Sequence, residues 1–136
     1  MPSDAHKFIS NMIVMKMFQM NYEIVSFDGE HIYLKNTKIK APPSLKRHRP
    51  DLIGFNSKSK KICIGEAKTK NDLNSSRTRE QIEDYSSLIT KSNKEVDFII
   101  GVPISGIKKL NEILKKLELS NRSNITILKI PDRLLS

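Results

Sequence analysis

Two apolar runs, PDLIGF at 50–55 and KKICIGEAK at 60–68, are separated only by the polar tetrapeptide NSKS, and that spacing dictates a β-hairpin. A tight turn over Lys58 and Ser59 pairs Phe55 with Ile62, Ile53 with Ile64 and Asp51 with Glu66. Strand side chains alternate between faces, so Asp51, Ile53 and Phe55 share one face, and Ile62, Ile64, Glu66 and Lys68 share the matching one. A register slip of one residue would send Asp51 to the opposite side. The hairpin thus fixes both a piece of core and a pair of acids.

The rest of the chain supplies what such a hairpin packs against. Residues 4 to about 20 are predicted to form a helix capped by Ser3 or Asp4, apolar on nearly every side from Met12 to Phe18 and therefore buried. YEIVSF (22–27) and EHIYLKN (30–36) are predicted strands joined at Asp28-Gly29, where glycine takes a positive φ without steric cost. TKIKAPPSLKRHR (37–49) is predicted to be an exposed loop with a positive face. After the hairpin come a helix over about 77–91, a strand at VDFIIGVPI, an amphipathic helix through KKLNEILKKLEL and a last strand at NITILKI. The order α, β, β, β, β, α, β, α, β makes the late helices crossovers between parallel strands, while the early hairpins are antiparallel. The expected fold class is α/β in the α+β sense, a central mixed β-sheet flanked by helices.

A length of 136 residues suits one domain over 1–136. The longest apolar stretch, MIVMKMF at 12–18, is broken by Lys16 and falls short of the roughly 18 residues a spanning helix needs. It also lacks the small-residue cleavage site of a secretory signal, so no membrane association and a cytoplasmic location are expected. Cys63 is the single cysteine, which excludes a disulfide framework or a cysteine-rich zinc site. The net charge of +9 favours a polyanionic partner, nucleic acid first.

In that basic chain the facing acids need explaining. Directly opposed residues have Cβ atoms about 4.5–5.5 Å apart, and like charges at that distance destabilise a sheet. A shared proton, the Lys68 ammonium or a divalent cation would each offset the repulsion. Mg²⁺ binds through one or two carboxylates plus water and substrate phosphate, so two acids beside a lysine suit it. Taken alone, Glu66 and Lys68 are also compatible with a plain ion pair on a solvated face; it is the apolar hairpin delivering Asp51 to the same spot that sets them apart.

Pro50-Asp51, a hydrophobic hairpin, then Glu66-Ala67-Lys68 resembles the signature of the PD-(D/E)XK nuclease superfamily, and the element order resembles its restriction-endonuclease-like αβββαβ core over about residues 5–104. The resemblance implies that Asp51, Glu66 and the carbonyl of Ala67 bind Mg²⁺ or Mn²⁺, and that Lys68 orients or helps deprotonate the attacking water. Gln81 and Tyr85 lie four apart on one helix face and resemble the Q-x-x-x-Y helix of the RecB-like and Holliday-junction-resolvase-like branches, which implies a place for Gln81 at the active site. Thr78 and Gln81 also have capping-box spacing, and Tyr85 fits an apolar stripe with Ile82 and Ile89. Many superfamily members supply a glutamate from the first helix; this chain offers only His6, Ser10, Asn11 and Gln19 there, which counts against a second metal site and against efficient catalysis.

Lys38, Lys40, Lys46, Arg47 and Arg49 lead into Asp51, and Lys70, Arg77 and Arg79 follow the E-x-K strand; all are candidate phosphate contacts, with solvated loop charge as the plain alternative. Lys108, Lys109, Lys115 and Lys116 read as the solvent face of a late helix, and Met12, Met15, Met17 and Met20 as core or a dimer surface. The expectation is a metal-dependent endonuclease cutting duplex or branched DNA, with a structure-selective, junction-resolvase-like homodimer as its expected form. A DNA-binding domain of the same fold with weak or no cleavage is the alternative, and a basic protein-interaction module a third.

Overall fold

A computed structural model describes residues 3–28 and 39–135. The predicted strand at 30–36, its Asp28-Gly29 turn and Lys38 fall wholly or partly outside them. Helix α1 (Asp4–Gln19) is followed by β1 (Glu23–Phe27), β2 (Leu52–Asn56), β3 (Lys61–Ala67), α2 (Ser76–Ser86), β4 (Asp97–Pro103), α3 (Ile107–Lys116) and β5 (Ile125–Ile130). The strands form one mixed sheet in chain order, antiparallel from β1 to β3 and parallel from β3 to β5. This is the α/β architecture expected from the order of elements.

The hairpin register is the one the sequence dictates: Ile53 pairs with Ile64, Phe55 with Ile62, and the ladder ends at Leu52 and Gly65, one step short of Asp51 and Glu66. Alternation then sorts the sheet into two cores. Cys63, Ala67 and Ile99 face α1, where they pack with Ile9, Ile13, Val14 and Met17. Ile64, Phe98, Ile100 and Val102 face α2 and α3, against Ile82, Tyr85, Leu110 and Ile113. Glu66 follows the second parity, which aims its side chain at α2.

Helix α1 lies close to the sheet because the positions beneath it are small. A methyl group on Gly65 would come within 2.7 Å of Leu52 Cδ2 and 2.9 Å of Ile13 Cγ2, and Leu52 and Ile13 are themselves fully buried. Gly65→Ala should therefore destabilise the fold by about 1–3 kcal/mol, the usual cost of overpacking. Urea denaturation checks this, and an unchanged midpoint would mean that α1 can lift off the sheet freely.

Two helices depart from expectation. Helix α1 is buried along Ile9, Ile13, Val14 and Met17 but leaves Phe8, Met15 and Phe18 exposed, so one apolar face is displayed. Helix α2 stops at Ser86 instead of running to residue 91, because the hydroxyls of Ser86 and Ser87 bond back to the carbonyls of Glu83 and Asp84, a local pairing that competes with further helix. Ile89 consequently lies outside the stripe assigned to it, exposed, while Ile82 and Tyr85 are core. Among the described residues, no helix is long and apolar enough to cross a membrane.

Candidate active site

At one end of the sheet, a cleft of about 330 Å³ opens where the N-terminal end of β2 meets the C-terminal end of β3. Asp51, Glu66, Ala67, Lys68 and Gln81 all line it, with Arg49 and Arg77 at the same opening. Two backbone bonds lock the acids to each other's strand. The Asp51 N–H donates to Glu66 Oε1 at 3.1 Å, and the Ala67 N–H donates to Asp51 Oδ2 at 2.7 Å. Each carboxylate thus continues the hairpin beyond the point where the ladder stops.

Lys68 is buried, an unusual place for a lysine unless it is paired. Its Nζ lies 3.1 Å from Glu66 Oε2 and donates to Gln81 Oε1 at 2.5 Å. Gln81 is therefore free of capping duty. The cap of α2 is Ser75, whose hydroxyl accepts from Thr78 N at 3.2 Å, so the Thr78–Gln81 spacing is not a capping box.

The electrostatics of this corner are dominated by Glu66. Burial, then the neighbouring charge of Asp51, push its carboxyl up to about 8, against the opposing pull of Lys68. Ionising Glu66 is therefore costly here, chiefly because the carboxyl is buried, despite its lysine. Two buried carboxylates in that condition fit a divalent cation, and Ala67 sits between them on the cleft wall. Among the described residues no three His, Cys, Asp or Glu side chains converge as a closed metal cage. Such a donor set suits Mg²⁺ or Mn²⁺, with water and phosphate oxygens completing the coordination.

His6 comes from the first turn of α1, where Ser3 caps the helix by accepting from the His6 N–H. Its Nε2 lies 3.2 Å from Asp51 Oδ2, and this hydrogen bond raises the imidazole pKa in spite of partial burial. Helix α1 therefore does reach the site, with a histidine where the resemblance leads one to look for a glutamate. Asp28 and Asp72 also line the cleft and carried no recognisable sequence signal. Asp72 Oδ2 accepts from Thr69 N at 2.9 Å and its carbonyl accepts from Thr78 Oγ1, which ties the chain after β3 to the start of α2.

The expected phosphate contacts divide into groups. Arg49 and Arg77 line the cleft. Lys40, Lys70 and Arg79 are exposed but do not line it. Lys46 and Arg47 turn away from the cleft onto α2: Lys46 Nζ donates to Ser87 Oγ, and Arg47 bonds Asp84 through Nε and Nη2 at 3.0 and 2.9 Å. The turn at 45–48 thus leaves Lys46 and Arg47 exposed, as its composition suggested, while one side of it bonds to α2 and the residue after it. Its acceptors Glu80, Glu83 and Asp84 form an acidic patch at helical spacing, the one sequence signal that could have announced the docking.

No family model, curated protein or solved structure matches the chain.

Proposed function

We propose that the chain is a metal-dependent endonuclease of the PD-(D/E)XK type that hydrolyses phosphodiester bonds in DNA. The observation that carries this is the convergence, in one cleft of a chain with net charge +9, of Asp51, Glu66 and Lys68, with Gln81 bonded to the lysine. In this reading Asp51, Glu66 and the Ala67 carbonyl hold Mg²⁺ or Mn²⁺. When bound, the ion acts as a Lewis acid that favours deprotonation of the attacking water and neutralises charge developing on the phosphoryl oxygens. Lys68, fixed between Glu66 and Gln81, positions that water and stabilises the same charge through a preorganised ammonium. Arg49 and Arg77 grip the backbone beside the scissile phosphate without reading sequence.

A DNA-binding domain with little cleavage is the second reading, and His6 in place of a carboxylate opposite Asp51 favours it. The two separate in one assay: labelled duplex, single-stranded, flap and four-way DNA, with Mg²⁺, Mn²⁺ or EDTA. Cleavage with either metal and none in EDTA is expected. Salt-sensitive binding without cutting under any condition would establish the second reading, and neither binding nor cutting would overturn both.

A further inference from the structure

Arg47 has the placement of a phosphate contact and its side chain is half exposed, but its guanidinium already bonds a buried carboxylate of the protein. Both of its bonds to Asp84 lie in the fork geometry that arginine makes with a carboxylate, and Asp84 is buried, with 8% of its side chain exposed. The Arg47 guanidinium in turn holds the Asp84 carboxyl below its ordinary pKa. His48 Nε2 adds a contact to Glu80 Oε1 at 3.0 Å, and the turn itself is closed by Leu45 N donating to His48 O at 2.8 Å, with Lys46 at a φ of 58°. Leu45 packs against the core under α2 and α3. A segment anchored by a bidentate ion pair, a second polar contact and an apolar side chain is a clamp.

Its two ends are the two halves of the cleft. Three residues after Arg47 the chain reaches Pro50, which is buried, and then Asp51. Three residues before Asp84 on the clamped helix is Gln81, which holds Lys68. We infer that Arg47 is a positioning residue: through Asp84 it fixes α2 against the segment that leads through Asp51 into β2, and so sets the distance between the carboxylates and the Gln81–Lys68 pair. The nucleic-acid footprint is then carried by Arg49 and Arg77 and not by the 45–48 turn. This inference rests on the nuclease reading for its catalytic consequence, but the clamp itself is a property of the fold.

The test compares Arg47→Ala, Asp84→Asn, the double variant and Arg47→Lys with Arg49→Ala, on the full chain and a labelled four-way junction and its duplex arms. A displaced site lowers kcat by about 10- to 100-fold in Arg47→Ala, since misplacements near 1 Å cost that much. KM and the slope of log affinity against log salt stay as in the wild type. Asp84→Asn behaves alike, the double variant is no worse than the worse single, and Arg47→Lys, which cannot make the fork, is intermediate. Arg49→Ala instead reduces the salt slope by about one, as loss of a phosphate contact does. Hydrogen exchange over 45–51 and α2 quickens in the clamp variants. A reduced salt slope in Arg47→Ala with kcat retained would make Arg47 a phosphate ligand and overturn the clamp, as would unchanged kcat in a merely less stable protein. If the wild type cuts nothing, the nuclease reading falls, while unaltered exchange in Arg47→Ala sinks the clamp independently.

Discussion

Lys68→Ala should lower DNA cleavage by about 10²–10³-fold in single-turnover assays, the loss typical of removing one preorganised group that stabilises developing charge. The ammonium is held from two sides, by Glu66 Oε2 at 3.1 Å and Gln81 Oε1 at 2.5 Å, so little of its placement is left to chance. Lys68→Arg should not restore the rate: a planar fork cannot occupy the place of a compact ammonium in a buried corner. Asp51→Asn should be comparably inactive while still folding, because the amide keeps an oxygen able to accept from Ala67 N. Both proteins should still bind DNA, since neither loses Arg49 or Arg77. Cleavage at the wild-type rate by Lys68→Ala and Asp51→Asn together would mean that another nuclease produced it, and the functional assignment would fall.

Much of this site was legible because a hairpin translates sequence spacing directly into facing positions. Once NSKS is assigned to the turn, the identity of the residue opposite Asp51 follows from counting, and the ladder obeys that count. Gln81 was harder. Its spacing suited both a cap and an active-site role, and what decided between them was the position of Ser75, a residue further upstream whose hydroxyl takes the Thr78 amide. The turn at 45–48 is exposed as its composition suggests, but its pairing with α2 was not legible, because charge in a sequence says nothing of what lies opposite it. Arg47 and Asp84 are distant in the chain, and only the tertiary fold, which lays the 45–48 turn against α2, brings them together. His6 suffers the same ambiguity, since its role depends on where the first turn of α1 meets the sheet, which the small residues beneath the helix determine.

The second large effect concerns pH and metal. Burial and the Asp51 charge push the Glu66 carboxyl from its ordinary 4.5 up to about 8 in the folded protein, so the native state retains a proton that the unfolded chain loses through the interval between. Its contribution to stability is complete below about 4.5 and is lost as pH rises toward 8. His6, whose pKa is also raised, adds a change of the same sign as pH climbs through its folded value. In EDTA the melting temperature should therefore fall from pH 5 to pH 8.5, with a limiting slope of about 1.4 kcal/mol per pH unit for each proton. Glu66→Gln removes the larger part of that fall, and His6→Asn the smaller. A divalent cation favours the doubly ionised pair, so Mg²⁺ or Mn²⁺ should raise the melting temperature most at pH 8.5, by the equivalent of about 2.7 kcal/mol at a hundredfold excess over Kd. Glu66→Gln and Asp51→Asn should lose most of that gain. A wild-type melting temperature indifferent to both metals at pH 8.5, or an equal gain in the two variants, would show that these carboxylates face each other for some purpose other than holding a cation.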